Sequence, residues 1–86
     1  MVAAMESERV DKLSEVSLTD QLARILREGI ADGTLPAGEK LPSEAELGAF
    51  HDVSRIVVRR ALTRLEEEGL VFGAKGRGWF VRRREP

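Results

Sequence analysis

Three serines and a glycine divide this chain. Ser17, Ser43 and Ser54 each stand ahead of a run whose apolar residues recur at helical spacing, and Gly69 closes the last run. Serine is a preferred helix N-cap because its hydroxyl accepts one of the first turn's unpaired backbone N–H groups. Glycine is the residue that most cheaply adopts the left-handed conformation ending a helix. The chain has 86 residues and no cysteine. A domain of this size buries roughly 60% of its extended-chain surface, so the core is modest and no disulfide supports it.

Ser17 and Asp20 have capping-box spacing, with Thr19 as a rival cap, and Leu18, Leu22, Ile25, Leu26 and Ile30 form one apolar face up to Gly33. Gly33-Thr34-Leu35-Pro36-Ala37-Gly38 is a turn connection, and Lys40-Leu41 reads as a very short strand. Ser43 and Glu46 repeat the capping box ahead of a brief second helix, about Glu44 to Phe50, with Leu47 and Phe50 inward. His51, Asp52 and Val53 make a tight link. Ser54 then opens a third helix whose stripe is Val58, Ala61, Leu62 and Leu65. Leu70–Phe72 and Trp79–Val81 read as strands around a glycine-rich turn carrying Lys75, Gly76 and Arg77. The expected fold is mainly α with a small antiparallel β hairpin: a three-helix winged helix-turn-helix over residues 17–82. Residues 1–16 read as a flexible or weakly helical arm, with Met5, Val10, Leu13 and Val16 as the stripe of any helix, and residues 83–86 as a basic tail.

Charge is uneven along this chain. Residues 1–54 carry five basic and eleven acidic side chains, a net of −6, while residues 55–86 carry nine basic and four acidic, a net of +5. A polyanion responds to a basic face more than to a total. One histidine and no cysteine leave little for a metal site or a base–nucleophile pair, so neither enzyme nor cofactor is expected. No apolar run is long enough to span a bilayer, and the acidic N-terminus is not a secretory signal, which makes a cytoplasmic protein the expectation.

Two helices joined by a short link, the second capped and basic, suit entry into a DNA major groove. The outward face of the third helix presents Arg55, Ile56, Arg59, Arg60 and Thr63. Arginine on the first turns can fork onto guanine O6 and N7. Ser54 can cap the helix while the amides around it meet a phosphate. Ile56 suits a thymine methyl, and Val57 suits packing. Glu66, Glu67 and Glu68 crowd the far end, where Arg64 has Glu68 as a partner at four residues. Lys75 and Arg77 flank Gly76 at the wing tip, where a minor groove or phosphates are in reach, and Arg82, Arg83 and Arg84 add electrostatic attraction. The rival reading is a protein-interaction module whose basic face binds an acidic partner. First-turn arginine together with a basic wing favours DNA.

Gln21 to Val81 resembles the N-terminal DNA-binding domain of the GntR family of bacterial transcription regulators. The resemblance rests on Gly33-Thr34-Leu35-Pro36-Ala37-Gly38-Glu39-Lys40-Leu41-Pro42-Ser43-Glu44-Ala45-Glu46-Leu47, Val53-Ser54-Arg55, Val58-Arg59-Arg60-Ala61-Leu62, Leu65-Glu66-Glu67-Glu68-Gly69-Leu70-Val71 and Gly76-Arg77-Gly78-Trp79-Phe80-Val81. It implies binding of double-stranded DNA at a palindromic operator as a homodimer, with an isolated domain monomeric until it pairs on DNA. It also implies a transcription regulator, usually a repressor released by a small-molecule effector. Arg55 and Arg59 match arginines that contact operator bases or phosphates, Gly76 matches a wing glycine, and Ser43 and Glu44 begin the second helix near the DNA backbone. Three positions depart from the family's habit: Ala45 replaces an arginine, while Val57 and Trp79 replace threonines. No effector site or dimerising domain is expected within these residues.

Overall fold

The computed structural model describes residues 8–83. Helices α1 (Leu18–Asp32), α2 (Glu44–His51) and α3 (Arg55–Glu67) precede a hairpin of β1 (Val71–Ala74) and β2 (Gly78–Val81). All three serines cap as expected. Ser17 Oγ accepts the Asp20 N–H at 3.1 Å, which settles the cap of α1 on Ser17 and leaves Thr19 inside the helix. At α2 the box is reciprocal: Ser43 Oγ accepts from Glu46 N at 3.0 Å, and Ser43 N donates to Glu46 Oε1 at 2.8 Å. Ser54 Oγ accepts from Val57 N at 3.2 Å.

The core lies where α1 crosses α3 and the hairpin closes one end. Leu22, Leu26, Leu47, Val58, Leu62 and Leu65 are buried, joined by Leu35, Leu41, Val71 and Val81 from the loops and the wing. Helix α3 ends in a Schellman motif: Gly69 donates to Glu66 O and Leu70 to Leu65 O, with Gly69 at φ +79°. That use of the Leu70 N–H is why β1 starts at Val71 rather than at Leu70. The ladder instead runs further toward the tip, pairing Gly73 with Trp79 and Ala74 with Gly78, so the turn narrows to Lys75-Gly76-Arg77. The expected Lys40–Leu41 strand is a single bridge, Lys40 opposite Phe80, backed by Leu41 N donating to Trp79 O at 2.9 Å.

Several expectations are corrected. Of the flexible and the weakly helical readings of the arm, the helical one fails over residues 8–16, which form turns and bends. Leu13 and Val16 point to solvent, while Val10 is buried and the Gln21 side chain bonds the backbone of Asp11 and Val16. Side-chain capture of the arm's backbone takes the place of helical hydrogen bonds. Met5 and Arg84 lie outside the described residues. His51, read as part of the link, is instead the last residue of α2 and is buried, and Phe50, read as inward, is only partly buried, its ring covered by the Arg9 guanidinium at 4.5 Å. Arg64 pairs with Asp20 of α1, not with Glu68. Glu68, the C-cap of α3, instead takes the Arg27 fork at 2.6 and 2.8 Å.

Candidate nucleic-acid interface

The stripe that buries Val58, Ala61, Leu62 and Leu65 turns the other side of α3 outward. Arg55, Ile56, Arg59, Arg60 and Thr63 are exposed there, whereas Val57 is half-buried against the core. Ile56 retains 63% of its surface in water, an unusual exposure for so large an apolar side chain. Ser54, at the start of α3, is also exposed.

The hairpin places its tip beside this face. A groove runs between the N-terminal ends of α2 and α3 and the wing, lined by Ser43, Glu44 and Arg55 on one side and by Lys75, Gly76, Arg77 and Trp79 on the other. A second hollow flanks α3 on its far side, where Ile56, Arg59, Arg60 and Thr63 meet Ser17 and Thr19. Every site residue expected from the sequence thus lines one hollow or the other, except Ser54, which caps the helix between them. Lys75, Gly76 and Arg77 are exposed, and Gly76 holds φ +76°, the left-handed conformation that the tight turn requires.

Glu44 ties the parts together. Its Oε1 accepts from Arg59 Nη2 at 2.8 Å and from Arg55 Nη2 at 3.3 Å. Its Oε2 accepts from Arg59 Nε at 3.3 Å and from the Trp79 indole N–H at 3.0 Å. The Arg59 bonds, then those of Trp79 and Arg55, pull the carboxyl from 4.5 down to about 2 against the opposing effect of burial. The same pair raises the Arg59 pKa. Glu44 is therefore ionised at neutral pH. Its side chain is 15% exposed while those of Arg55 and Arg59 are 69% and 61% exposed, so the carboxylate sits behind the cations.

Sequence reasoning placed Glu44 at this surface but missed its partners. Nothing in residue spacing relates position 44 to position 79; the contact exists because β2 bonds to the Gly38–Leu41 segment that leads into α2. Lys40 was also missed. Its bridge to Phe80 brings it into the wing groove, where its aliphatic chain lies against Gly78.

The arrangement offers hydrogen-bond donors and positive charge. Among the described residues no group of three histidine, aspartate or glutamate side chains is placed to hold a metal. The histidine Nδ1 is occupied, accepting the Val10 N–H at 3.2 Å. No helix among these residues is long and apolar enough to cross a membrane.

Three helices, a paired wing and a basic outward helix define a winged helix-turn-helix domain. The model of the bacterial regulatory proteins of the gntR family matches residues 18–81, and the chain belongs to that family. It is a family of regulators, not of enzymes. The chain is 39% identical over 72 residues to the HTH-type transcriptional repressor NagR of Bacillus subtilis (strain 168), covering 84% of this chain and 30% of that protein. It is 45% identical over 62 residues to the HTH-type transcriptional regulator YihL of Escherichia coli (strain K12), covering 72% of this chain and 25% of that protein. It thus spans less than a third of the length of these curated relatives. Among solved structures, AraR(DBD) in complex with operator ORX1 superposes with a TM-score of 0.77 at 30% identity, covering 86% of this chain and 92% of that one. YtrA from Sulfolobus acidocaldarius, a GntR-family transcription factor, gives 0.81 at 31% identity, covering 91% of this chain and 66% of that one.

Proposed function

We propose that residues 17–82 are a sequence-specific reader of double-stranded DNA within a cytoplasmic transcription regulator, a repressor by kinship with NagR. The observation that carries this reading is that Arg55 and the Lys75–Arg77 tip line one groove, with the exposed Arg59 joined to it through Glu44. Helix α3 enters the major groove, where Arg55 and Arg59 address base edges and Ile56 addresses a thymine methyl. Arg60, Thr63 and the Ser43 and Ser54 helix starts lie toward phosphates, while Glu44 acts through the arginines it holds. Lys75, Gly76 and Arg77 approach the neighbouring backbone or minor groove. The operator-bound AraR structures support DNA over an acidic protein as the partner.

One helix and one wing serve one half-site, so the reading includes a palindromic operator occupied by two copies. Selection from a randomised duplex library tests this. The expected product is one short motif, recovered as an inverted pair with fixed spacing. A pool that stays random after selection overturns the reading.

A further inference from the structure

Arg59 and Arg55 differ in how they are held. Arg59 meets Glu44 side-on, through Nε at 3.3 Å and Nη2 at 2.8 Å, a two-point grip that fixes the plane of the guanidinium. This grip uses the Nε–H and one Nη2 hydrogen. The outer edge, formed by the Nη1 and Nη2 hydrogens that point away from the chain, stays free, and that edge is the fork that fits guanine O6 and N7. Arg55 has a single longer bond to the same carboxylate and no such grip. Glu44 is itself fixed: it begins α2 behind the capping box, and the Trp79 N–H occupies its second oxygen at 3.0 Å. The Trp79 ring rests against Gly73 on the paired strand and packs on the core. A rigid line therefore runs from the wing through a carboxylate to one arginine of the reading helix.

We infer that Trp79 and Glu44 are positioning residues that brace Arg59 to read a guanine, making Arg59 more discriminating than the first-turn Arg55. The consequence is that conformational freedom is given up before DNA arrives: a long, rotamer-rich side chain is set in its reading orientation in the free protein, so binding does not have to freeze it. The carboxylate also penalises a different pose. Swinging Arg59 onto a phosphate brings that phosphate toward an ionised Glu44, whereas a guanine edge carries no such charge. This inference rests on the DNA-binding reading above.

The test uses the full 86-residue chain, the duplex it selects, the same duplex with the Arg59-dependent guanine changed, and a scrambled duplex. Trp79→Phe keeps an aromatic side chain on β2 while removing the indole N–H together with the outer part of the ring system that lies against Gly73. It is expected to lower the preference for the guanine duplex about tenfold while leaving affinity for the scrambled duplex nearly unchanged. Combined with Arg59→Ala it adds little further loss, because both act on one contact, whereas with Arg55→Ala the losses add. Glu44→Gln, a second variant that leaves the wing intact, is expected to reproduce the loss, since its amide N–H groups face the guanidinium in place of an acceptor. In the free protein, NMR titration of the Glu44 carboxyl is expected to show a rise from its low pKa in Trp79→Phe. Unchanged guanine preference in both single variants, or additive losses with Arg59→Ala, overturns the brace. Equal binding of all three duplexes by the unmodified chain overturns the DNA reading itself, and the brace with it.

Discussion

The buried imidazole of His51 at the end of α2 accepts the backbone N–H of Val10 through Nδ1 at 3.2 Å. The bond joins the start of the chain to the helix-turn-helix link and requires an unprotonated Nδ1, because a protonated one is a donor facing a donor. Burial first, and the charge of Arg9 second, hold the His51 pKa below its ordinary 6.5, against a lesser pull from Glu8.

A histidine depressed in the folded state takes up its proton more readily when unfolded. Its contribution to stability is therefore complete above the unfolded value near 6.5, declines as pH falls through it, and levels off below the folded value. Melting temperature is expected to fall between pH 7.5 and pH 5.5. His51→Asn offers an acceptor that does not titrate and is expected to flatten the slope over that window. A slope that survives in the variant assigns the titration to another group.

Leu62 is fully buried at the crossing of α1 and α3. Leu62→Ala is expected to cost about 2–5 kcal/mol, the spread reflecting how far the neighbours collapse into the void. Urea unfolding followed by circular dichroism measures it. In a domain whose total stability is on the order of 5–15 kcal/mol, the same change weakens every DNA complex without altering base preference.

The three helices were legible because their signals are local. A capping serine, an apolar stripe and a closing glycine all act within one or two turns, and Ser17, Ser43, Ser54 and Gly69 do what their spacing requires. The outward set on α3 followed from the same periodicity. Less legible was whatever depends on one element meeting another. Arg64 chose Asp20, 44 positions away, over a neighbour on its own helix, because α1 crosses beside it. Trp79 was recognisable as a departure from the family but not as the donor to Glu44. Within residues 8–16, Val10, Leu13 and Val16 have helical spacing, yet only Val10 finds a core to enter, and no helix forms there.

Gly76 sits at φ +76° with open space where a Cβ would stand. Gly76→Ala therefore tests backbone conformation alone, with no clash added. It is expected to cost about 1–2 kcal/mol, the usual penalty for an L-residue in the left-handed region. Amide exchange in the hairpin is expected to rise more than exchange in α1, and Gly76→Asn, better suited to that conformation, is expected to lose less. Equal acceleration throughout the domain would assign the effect to global unfolding rather than to the turn.

The wing cations and the helix cations are expected to respond differently to salt. Among the described residues, the ion pairs include Arg55 and Arg59 but neither Lys75 nor Arg77. A tip cation that meets a phosphate displaces a condensed counterion, so Lys75→Ala and Arg77→Ala are each expected to reduce the slope of log affinity against log salt by about 0.9. Arg59 already shares its charge with Glu44, and its assigned target is a base edge. Arg59→Ala is accordingly expected to change the slope less and the base preference more. Measuring the slopes on selected and scrambled duplexes separates the roles: wing variants shift both lines alike, and Arg59→Ala acts mainly on the selected one. Slopes unmoved by both wing variants would remove the tip from the phosphate contacts.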